Sequence, residues 1–424
     1  MASKEPIQVV HACCCGLDVH KRQVQACVLR TTAAGQVEQH QRSFGTVSAD
    51  LLALGDWLAS LGCTHVAMES TGVYWKPIFN VLDGQFTVWV VNAQHLKQVP
   101  GRKTDVSDAA WIAGLLRHGL VRPSFIPDQD QRELRELTRY RRSLVNERTA
   151  EVNRLQKTLE GANIKLASVA SDVTGLSARA MLEQLVAGHS DPALLAQLAQ
   201  GKMKAKIPAL ERALAGRFGA HQRFLVARQL AHLDSLDALI AELDGEVARR
   251  LAPFEEEVAL LDTIPGVGRR TAQDLLAEIG PDMSQFPDAA HLASWGGMAP
   301  GNHISAGKRK GGKTRKGSRW LRALLVVAAQ AVGRSKDPVL GARFRALAAR
   351  RGKERAAVAV GHAILVLAYH ILRTHQPYHP PLPLTRPPRP EPSTDQLVAQ
   401  LQARGFLVTL QPAAPASPPA EPAA

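Results

Sequence analysis

The chain has 424 residues, of which 45% are hydrophobic and 21% charged, and a formal net charge of +14. The length is typical of two or three domains, and the composition excludes a protein that is disordered throughout. The first residues, MASKEPIQVV, lack the apolar run of a signal peptide. The apolar runs, Ala356–Leu372 among them, are too short or too interrupted to suggest a membrane span, so we expect a cytoplasmic protein with no membrane partner.

The positive charge is concentrated in one segment. Residues 301–355 contain 16 Lys and Arg but only two Asp and Glu, a net charge of +14, so the rest of the chain is neutral. A basic charge confined in this way predicts a surface for a polyanion, with nucleic acid as the first candidate.

The cysteines predict buried thiols in a reducing compartment. Three are adjacent, none follows residue 63, and no CxxC pair is present, which argues against a disulfide framework and against a zinc site. The five cysteines are Cys13, Cys14, Cys15, Cys27 and Cys63.

The N-terminal third predicts the element order βββαβαβα. This order is the ribonuclease H topology, and a doubly wound nucleotide-binding fold is the alternative. After two β-prone runs within residues 12–30, we predict a strand at Gln36–Phe44, a helix at Ala49–Leu61, a strand at Thr64–Met68, a helix at Tyr74–Leu82, a strand at Phe86–Val91 and a helix at Asp105–Arg117.

Four acidic residues occupy special places in this order. Asp18 follows the first strand, Glu69 ends the fourth, and Asp105 and Asp108 open the last helix, three residues apart and thus on one helical face. In a ribonuclease H fold these places converge, and carboxylates gathered there repel each other unless divalent cations neutralise them. Two Mg²⁺ ions about 4 Å apart could then act on a phosphodiester. The alternative is that the two aspartates are ordinary first-turn residues behind a Thr104 cap.

The middle of the chain predicts long charged helices at about 129–166 and Ile207–Phe254. They suit an antiparallel helical hairpin or coiled coil that mediates self-association, or an ordinary helical linker domain. The tail from Gln376 holds 13 of the 26 prolines, so it should be disordered or extended, with one amphipathic patch at Gln396–Leu410. The predicted domains are 1–127, 128–258, 259–375 and a tail at 376–424.

The third domain is predicted to be mostly helical. Its segment LDTIPGVGRRTAQDLLAEIG suggests a helix-hairpin-helix-like motif, in which Gly266 and Gly268 let the backbone turn and approach a phosphate. An ordinary helical turn is the alternative.

A glycine-rich basic loop follows. It carries Ser305, and a serine among cations could attack phosphorus, although a lone serine is more often only a polar loop residue. Ser294 is a less suitable nucleophile. The arginines of the Arg345–Arg355 run are most simply a solvated helix face, and only secondarily phosphate contacts. The cations predicted to contact nucleic acid are Lys308, Arg309, Lys310, Lys313, Arg315, Lys316, Arg319 and Arg322.

Three blocks of the N-terminal domain resemble the signatures of a known family. GLDVHKRQVQACVL, AMESTGVYW and VVNAQHLKQVPGRKTDVSDAAWIAGLL look like those of the DEDD transposases of bacterial insertion sequences, the IS-one-ten family. The family's N-terminal domain is similar to the Holliday-junction resolvase RuvC. The resemblance implies that Asp18, Glu69, Asp105 and Asp108 are its metal-binding D-E-D-D set.

The block from Ile264 through Leu325 looks like the family's C-terminal transposase domain. Its expected serine nucleophile corresponds to Ser305. The resemblance further implies a structured RNA, encoded by the element, that bridges target and donor DNA.

We therefore predict a transposase that cuts and rejoins the DNA strands at element ends and target. It would use two Mg²⁺ ions and a phosphoserine intermediate at Ser305, with a guide RNA as partner, and would act as a dimer or tetramer. Two alternatives are a RuvC-like, metal-dependent, structure-specific nuclease in which Ser305 is inert, and a non-catalytic nucleic-acid-binding protein.

Overall fold

The structure is a computed structural model that describes residues 8–70, 72–92, 96, 107–301, 303–305, 308–311, 314, 317–380 and 393–411. The chain forms two compact units, Met1–Arg250 and Leu251–Ala424. A mixed α/β sheet region at the N-terminus is followed by a mostly helical remainder. The predicted division at residues 127 and 258 stays a prediction.

The first unit begins with a five-stranded sheet in the order β3-β2-β1-β4-β5. β1, β2 and β3 form an antiparallel meander, and β4 and β5 run parallel to β1. The predicted element order is confirmed, with each boundary within a few residues of the prediction. The elements are β1 Cys13–Val19, β2 Gln23–Thr31, β3 Val37–Gly45, α1 Ser48–Ser60, β4 His65–Glu69, α2 Trp75–Leu82, β5 Thr87–Val91 and α3 Asp108–Arg117.

Helices cover both faces of this sheet, because strand side chains alternate between the faces. Cys15 and Leu17 of β1 pack in the core beneath α1 and α2. Cys14 lies on the other face, in a core with Ile112 and Leu116 of α3. The central strand β1 is therefore covered on both sides, and Cys14 and Cys15 within it are buried.

The thiols behave as the sequence predicts. Cys14, Cys15, Cys27 and Cys63 are buried, and Cys13 is partly buried. Burial raises the pKa of Cys14 and of Cys63 to about 12, so these thiols stay protonated and unreactive at neutral pH.

Gly16 lets α3 lie directly on β1. A Cβ at this position would lie 2.2 Å from the Ala109 carbonyl oxygen and 2.4 Å from the Ala113 nitrogen, both backbone atoms that cannot turn away. The close approach brings the start of α3 to the same end of the sheet as the last residues of β1.

We expect Gly16→Ala to destabilise the first unit by about 3 kcal/mol, because a methyl group there displaces the backbone of a packed helix. Urea unfolding followed by circular dichroism measures this loss. Gly114→Ala on α3 is the matched control, since its Cβ meets nothing within 4 Å and alanine favours a helix. Equal unfolding midpoints for Gly16→Ala and wild type would contradict this packing.

Two long antiparallel helices dominate the rest of the first unit. Arg141 pairs with Asp244 at 2.8 Å, and Glu133 pairs with Arg250 at 2.8 Å, so early residues of one helix meet late residues of the other. The helices are α4 Gln129–Gly161, α5 Leu166–Val169, α6 Leu176–Ala187, α7 Pro192–Ala196, α8 Ile207–Leu214 and α9 Ala220–Leu251, with a 3₁₀ turn at Gly201–Lys206.

The predicted continuous helix Ile207–Phe254 is wrong. It is split into α8 and α9 by residues 215–219, which include Gly216 and Gly219. A Cβ at Gly216 would lie 2.5 Å from the Ala162 carbonyl oxygen at the end of α4. The chain breaks here because only glycine permits that approach.

The second unit is built around one central helix, α15, whose residues Val360, Ile364 and Leu365 are fully buried. α15 extends beyond the run Ala356–Leu372 and, by length and composition alone, could cross a membrane. Of its apolar window, 56% is buried within the protein, as in a core helix. The elements are α10 Glu255–Asp262, α11 Arg269–Ile279, α12 Ala289–Trp295, β6 His303–Ser305, β7 Lys308–Gly311, α13 Arg319–Arg334, α14 Leu340–Arg351, α15 Lys353–Thr374 and α16 Thr394–Ala403, with a 3₁₀ turn at Ala252–Phe254.

The described part of the proline-rich tail contains α16. A capping box of Ser393 and Gln396 starts this helix, and none of its residues is buried. The predicted amphipathic patch is thus helical only over Thr394–Ala403. Residues 381–392 and 412–424 lie outside the described residues.

Candidate active site

Two carboxylates lie side by side on neighbouring parallel strands. In the pairing of β1 with β4, Leu17 stands beside Met68, so Asp18 and Glu69 occupy the next position on the two strands. Neighbouring strands are about 4.8 Å apart, which puts the two side chains within reach of one cation. Asp18 shares a face with Cys14, and Glu69 with Ala67, and both of these residues pack in the core under α3. Both carboxylates therefore belong to the α3 side of the sheet.

The start of α3 approaches the same end of the sheet. The Cys14 thiol lies 3.6 Å from the Ala113 carbonyl, while Gly16 lies against Ala109, so α3 runs antiparallel to β1. Because the two elements are antiparallel, the end of β1 that carries Asp18 lies near the start of α3, where Asp108 is the first residue. Elements carrying three of the four predicted carboxylates thus converge.

The predicted beginning of α3 is wrong. The helix begins at Asp108, and Ser107 caps it by accepting a hydrogen bond of 3.3 Å from the Ala110 N–H. The prediction that Asp105 and Asp108 share one helical face stays a prediction. Asp105 itself, with the expected cap Thr104, lies outside the described residues.

Sequence reasoning missed His20. Its Nε2 lies 3.2 Å from Asp18 Oδ2, and the side chains are 65% and 28% exposed, respectively. The spacing Asp-x-His at a strand end was the available signal, because alternate residues project to the same side. A histidine at this position can orient the Asp18 carboxylate by a hydrogen bond from its imidazole Nε2.

The donor atoms suit a hard divalent cation. Carboxylate oxygens are the ligands that Mg²⁺ prefers, and Asp18 and Glu69 supply them from adjacent strands. Among the residues that the structure describes, no group of three or more His, Cys, Asp and Glu side chains is gathered as a metal site. The predicted fourth ligand, Asp105, is not among those residues.

The predicted serine loop is in part a β-hairpin. Ser305 is the last residue of β6 and pairs with Lys308, the first residue of β7, and Ile304 pairs with Arg309. Lys310 also belongs to β7. The expected contacts Lys313, Arg315 and Lys316 lie outside the described residues. Ser305 therefore lies on a strand, where a flexible glycine-rich loop was expected.

The base of this hairpin is closely packed. Pro300 and Thr314 form an antiparallel bridge, and Arg322 donates a hydrogen bond to the Thr314 hydroxyl. A Cβ at Gly317 would lie 2.4 Å from the backbone nitrogen of Gly297. The segment carrying Ser305 therefore leaves and rejoins the helical core at fixed points.

A buried acid, Glu278 on α11, lies next to that base. It is 3% exposed and accepts a hydrogen bond of 3.1 Å from the hydroxyl of Ser318, which caps α13. The sequence offered no signal for it, because Glu278 stands in a run of apolar helix residues. Ser294, the alternative nucleophile, lies on α12 near its end, as its neighbours suggested.

The two glycines of the predicted helix-hairpin-helix-like segment have different surroundings. Gly266 has φ +84°, and a Cβ there would lie 2.6 Å from the Ala328 carbonyl of α13. Its close approach is to a helix inside the unit. Gly268 precedes α11, is exposed, and has open space where a Cβ would stand. Only Gly268 is therefore placed to approach an external phosphate.

Comparisons with known proteins agree with this organisation. Residues 15–164 match the IS110 DEDD family model, described as a transposase, and residues 258–345 match the transposase IS116/IS110/IS902 family. Asp18, Glu69 and Asp108 lie in the first matched region and Ser305 in the second.

Similar proteins include other transposases and a recombinase. The transposase for insertion sequence element IS1111A of Coxiella burnetii is 27% identical over 331 residues, covering 76% of this chain and 81% of the relative. A probable family 20 transposase of Pseudomonas aeruginosa is 26% identical over 332 residues, covering 77% and 88%. The pilin gene-inverting protein of Moraxella bovis is 28% identical over 145 residues, covering 33% and 45%.

The fold and these matches define a DNA transposase or recombinase enzyme. More particularly, its two matched regions are those of the insertion-sequence transposases of the IS110 and IS116/IS110/IS902 kind. DNA is its partner, and the DEDD-type domain indicates dependence on a divalent metal.

Proposed function

We propose that this protein cuts and rejoins the DNA strands of an insertion sequence, with metal held by Asp18, Glu69, Asp105 and Asp108 and with Ser305 as the nucleophile. The observation that carries the proposal is the pairing of Asp18 and Glu69 at the end of two parallel strands, beside the start of α3. Two adjacent carboxylates without a cation would repel each other, so the arrangement is suited to binding one.

The sheet supports a ribonuclease H-like, RuvC-like domain. An antiparallel meander of three strands joined to two parallel strands, with α3 against β1, matches the topology expected for that fold. In it, carboxylates from the central strand, its parallel neighbour and the last helix serve one site. We infer that Asp105 completes the set.

Metal at this site would be Mg²⁺, in two ions, held by these carboxylate oxygens. Bound there, it would supply charge neutralisation at the phosphate undergoing transfer. The protein's own part is to hold Asp18 and Glu69 on rigid strands, with His20 beside Asp18 as a group that can hold or release a proton.

The serine step conserves the number of phosphodiester bonds. Ser305 Oγ attacks phosphorus, loses its proton to a base, and forms a phosphoserine ester as the strand's hydroxyl end leaves. A hydroxyl of another strand then attacks the ester, which restores a DNA phosphodiester and returns the proton to Ser305. The packed base of the β6–β7 hairpin supports such a role, because a nucleophile must be held in one geometry.

The basic hairpin and its surroundings are proposed to hold nucleic acid. Lys308, Arg309 and Lys310 form most of β7, the strand that pairs with the strand of Ser305. The Arg319 guanidinium lies 5.1 Å over the ring of Trp320. The other proposed contacts are Gly268, Lys313, Arg315, Lys316 and Arg322, whereas Gly266, expected as a contact from the sequence, packs against α13. A helix-hairpin-helix-like role for residues 261–280 is supported mainly at Gly268.

The proposal extends to a structured guide RNA, a homo-oligomer of two or four chains and action in the cytoplasm. The basic segment offers a surface for RNA as well as DNA. Asp18 lies in the first compact unit and Ser305 in the second, so the chemistry requires both units of one chain or of two.

A RuvC-like nuclease is the second candidate, favoured by the fact that the carboxylates form their pair without any residue of the second unit. A non-catalytic binding protein is disfavoured, because it would gain nothing from two adjacent carboxylates.

The test is a strand-transfer assay with DNA that carries the element ends, the target and the element's RNA. We expect cut and rejoined products with Mg²⁺, and none in EDTA. Cut products that are never rejoined would favour the nuclease. Rejoined products in EDTA would contradict the metal site.

A further inference from the structure

The second unit contains an arginine-lined groove between α14 and α15. Its volume is about 1050 Å³, and its rim carries the arginines 322, 343, 350, 351 and 355 against the single acid Glu354. The sequence predicted that this run of arginines is a solvated helix face. The arginines of α14 and α15 are exposed, as that prediction requires. Together with Arg322 of α13 they bring five guanidinium groups to one depression.

The arginines of the groove lack the acidic partners that several arginines of the first unit have. Arg141, Arg148 and Arg250 on α4 and α9 are each paired with an Asp or Glu. Around the groove, no carboxylate of the described part of the chain forms an ion pair with Arg343, Arg350, Arg351 or Arg355. Five guanidinium groups gathered around a single acid, Glu354, repel one another, so the groove favours an anion from outside.

The floor of the groove is apolar. Leu347 and Val358 line it and are partly exposed, and Met298 and Ala356 are buried beneath it. His362 lies at the Arg343 end, where burial and the charge of Arg343 lower its pKa, so the imidazole is neutral at pH 7. A ligand for this groove must combine negative charges along the rim with an apolar face towards the floor.

We infer that the groove binds an unpaired strand of nucleic acid, with phosphates on the arginines and a base on the Leu347–Val358 floor. Arg343 and Arg350 are two helical turns apart, about 10 Å, so they can contact different phosphates of one strand. An unpaired base has a free face for the floor. A duplex keeps its bases stacked inside and is too wide to enter between two packed helices.

This inference rests on the proposed action on nucleic acid strands, but apart from Arg322 it concerns other residues. Arg350, Arg351, Arg355 and Val358 lie beyond residue 345, where the second family match ends. The groove would hold a strand that is unpaired during exchange, or an unpaired part of an RNA, close to the hairpin that carries Ser305.

The experiment compares the full chain with two triple variants of equal charge. Arg343→Gln/Arg350→Gln/Arg351→Gln removes three rim cations. Arg334→Gln/Lys336→Gln/Arg345→Gln removes three cations of the same unit that do not line the groove; Arg345 there donates a hydrogen bond to the Ser335 carbonyl. Fluorescence anisotropy with labelled single-stranded DNA, single-stranded RNA and duplex DNA gives affinity and salt dependence.

We expect the rim variant to lose at least about tenfold in affinity for single strands, and its salt slope to flatten by about 0.7 per lost contact, or about 2 in all. The control variant and duplex binding should change little. A strand with abasic positions should bind the wild type about fivefold more weakly or worse, because the floor then has no base. A stronger effect with RNA than with DNA would identify the strand as RNA.

Equal losses on duplex and single strands would overturn the assignment, as would equal behaviour of rim and control variants. If circular dichroism shows that the triple variant is misfolded, Arg355→Gln alone replaces it. We expect this single variant to lose less affinity for single strands than the triple variant. If the wild type recombines DNA and the rim variant binds single strands as tightly as the wild type, the groove assignment is wrong but the proposed function stands. A wild type that binds no nucleic acid refutes the proposed function as well.

Discussion

Ser305→Ala is expected to abolish the covalent protein–DNA adduct and strand transfer together. A strand nicked near the cleavage point traps the phosphoserine ester, because the short product diffuses away and the reverse attack is lost. The wild type should then show a DNA-linked species in a denaturing gel. Loss of a covalent nucleophile should lower the rate by at least about three orders of magnitude.

DNA affinity should survive this substitution. One neutral hydroxyl contributes about 0.5–1.5 kcal/mol at most, whereas the basic hairpin offers several charged contacts to phosphate. Ser305→Cys should keep a trace of activity at most, because sulfur is nucleophilic but differs in size and as a leaving group. Binding that is lost along with chemistry would mean that Ser305 is structural.

Ser294→Ala is the matched control, since it removes the same hydroxyl from α12. We expect it to keep adduct formation and strand transfer. If the adduct survives in Ser305→Ala and disappears in Ser294→Ala, the nucleophile has been assigned to the wrong serine. If Ser305→Ala cuts DNA at the wild-type rate with Mg²⁺, water is the nucleophile and the enzyme is a RuvC-like nuclease.

Asp18→Asn and Glu69→Gln are each expected to abolish metal-dependent cleavage while preserving the fold. Both substitutions keep the shape of the side chain and remove one of two adjacent negative charges, so repulsion in the metal-free protein falls. In EDTA the variants should therefore melt at or slightly above the wild-type temperature.

Metal binding should also be visible without any reaction. A ligand at 100 times its dissociation constant stabilises the folded state by about 2.7 kcal/mol, so Mg²⁺ should raise the wild-type melting temperature. Asp18→Asn and Glu69→Gln should lose this rise. Asp56→Asn is the control, because it makes the same chemical change at an exposed position of α1, away from the α3 side of the sheet.

Two results would contradict the metal assignment. One is wild-type cleavage that persists in EDTA. The other is a Mg²⁺-induced rise in melting temperature that remains in both Asp18→Asn and Glu69→Gln. The loss of cleavage in a variant that also unfolds in EDTA would indicate a structural role for the residue instead.

The N-terminal elements could be predicted because their hydrophobic patterns are local. Strand residues alternate between two buried faces around Cys14 and Cys15, while α1 repeats apolar residues at helical spacing. An acid at the end of such a strand stands out, and this was the signal for Asp18 and Glu69. Their adjacency needs the register of β1 against β4, which no local pattern contains.

The start of α3 was misjudged because two capping residues compete. Thr104 and Ser107 both precede helix-forming residues and an acid, and either could accept a hydrogen bond from a free N–H. The packing of Ala109 against Gly16 fixes how the helix meets the sheet, and with it the choice of Ser107. Capping by itself favours neither residue.

The break after α8 has a similar origin. The apolar repeat of residues 207–254 continues through it, so the pattern predicts one helix. Gly216 lies against the end of α4, more than fifty residues earlier in the chain, and that contact interrupts the helix. The β6–β7 hairpin was likewise read as a loop, because glycine and lysine carry little β-propensity.

By itself the sequence determined the order of the N-terminal elements, the places of Asp18 and Glu69 near strand ends, and the concentration of charge in residues 301–355. These properties depend on residues that are close together in the sequence, because they follow from the spacing of hydrophobic residues and from local composition. Only the tertiary structure decided that Asp18 and Glu69 share one face, that His20 joins Asp18, and that arginines of α13, α14 and α15 line a single groove. Each of these depends on a packing contact between distant segments, because strand register and helix packing set which side chains meet.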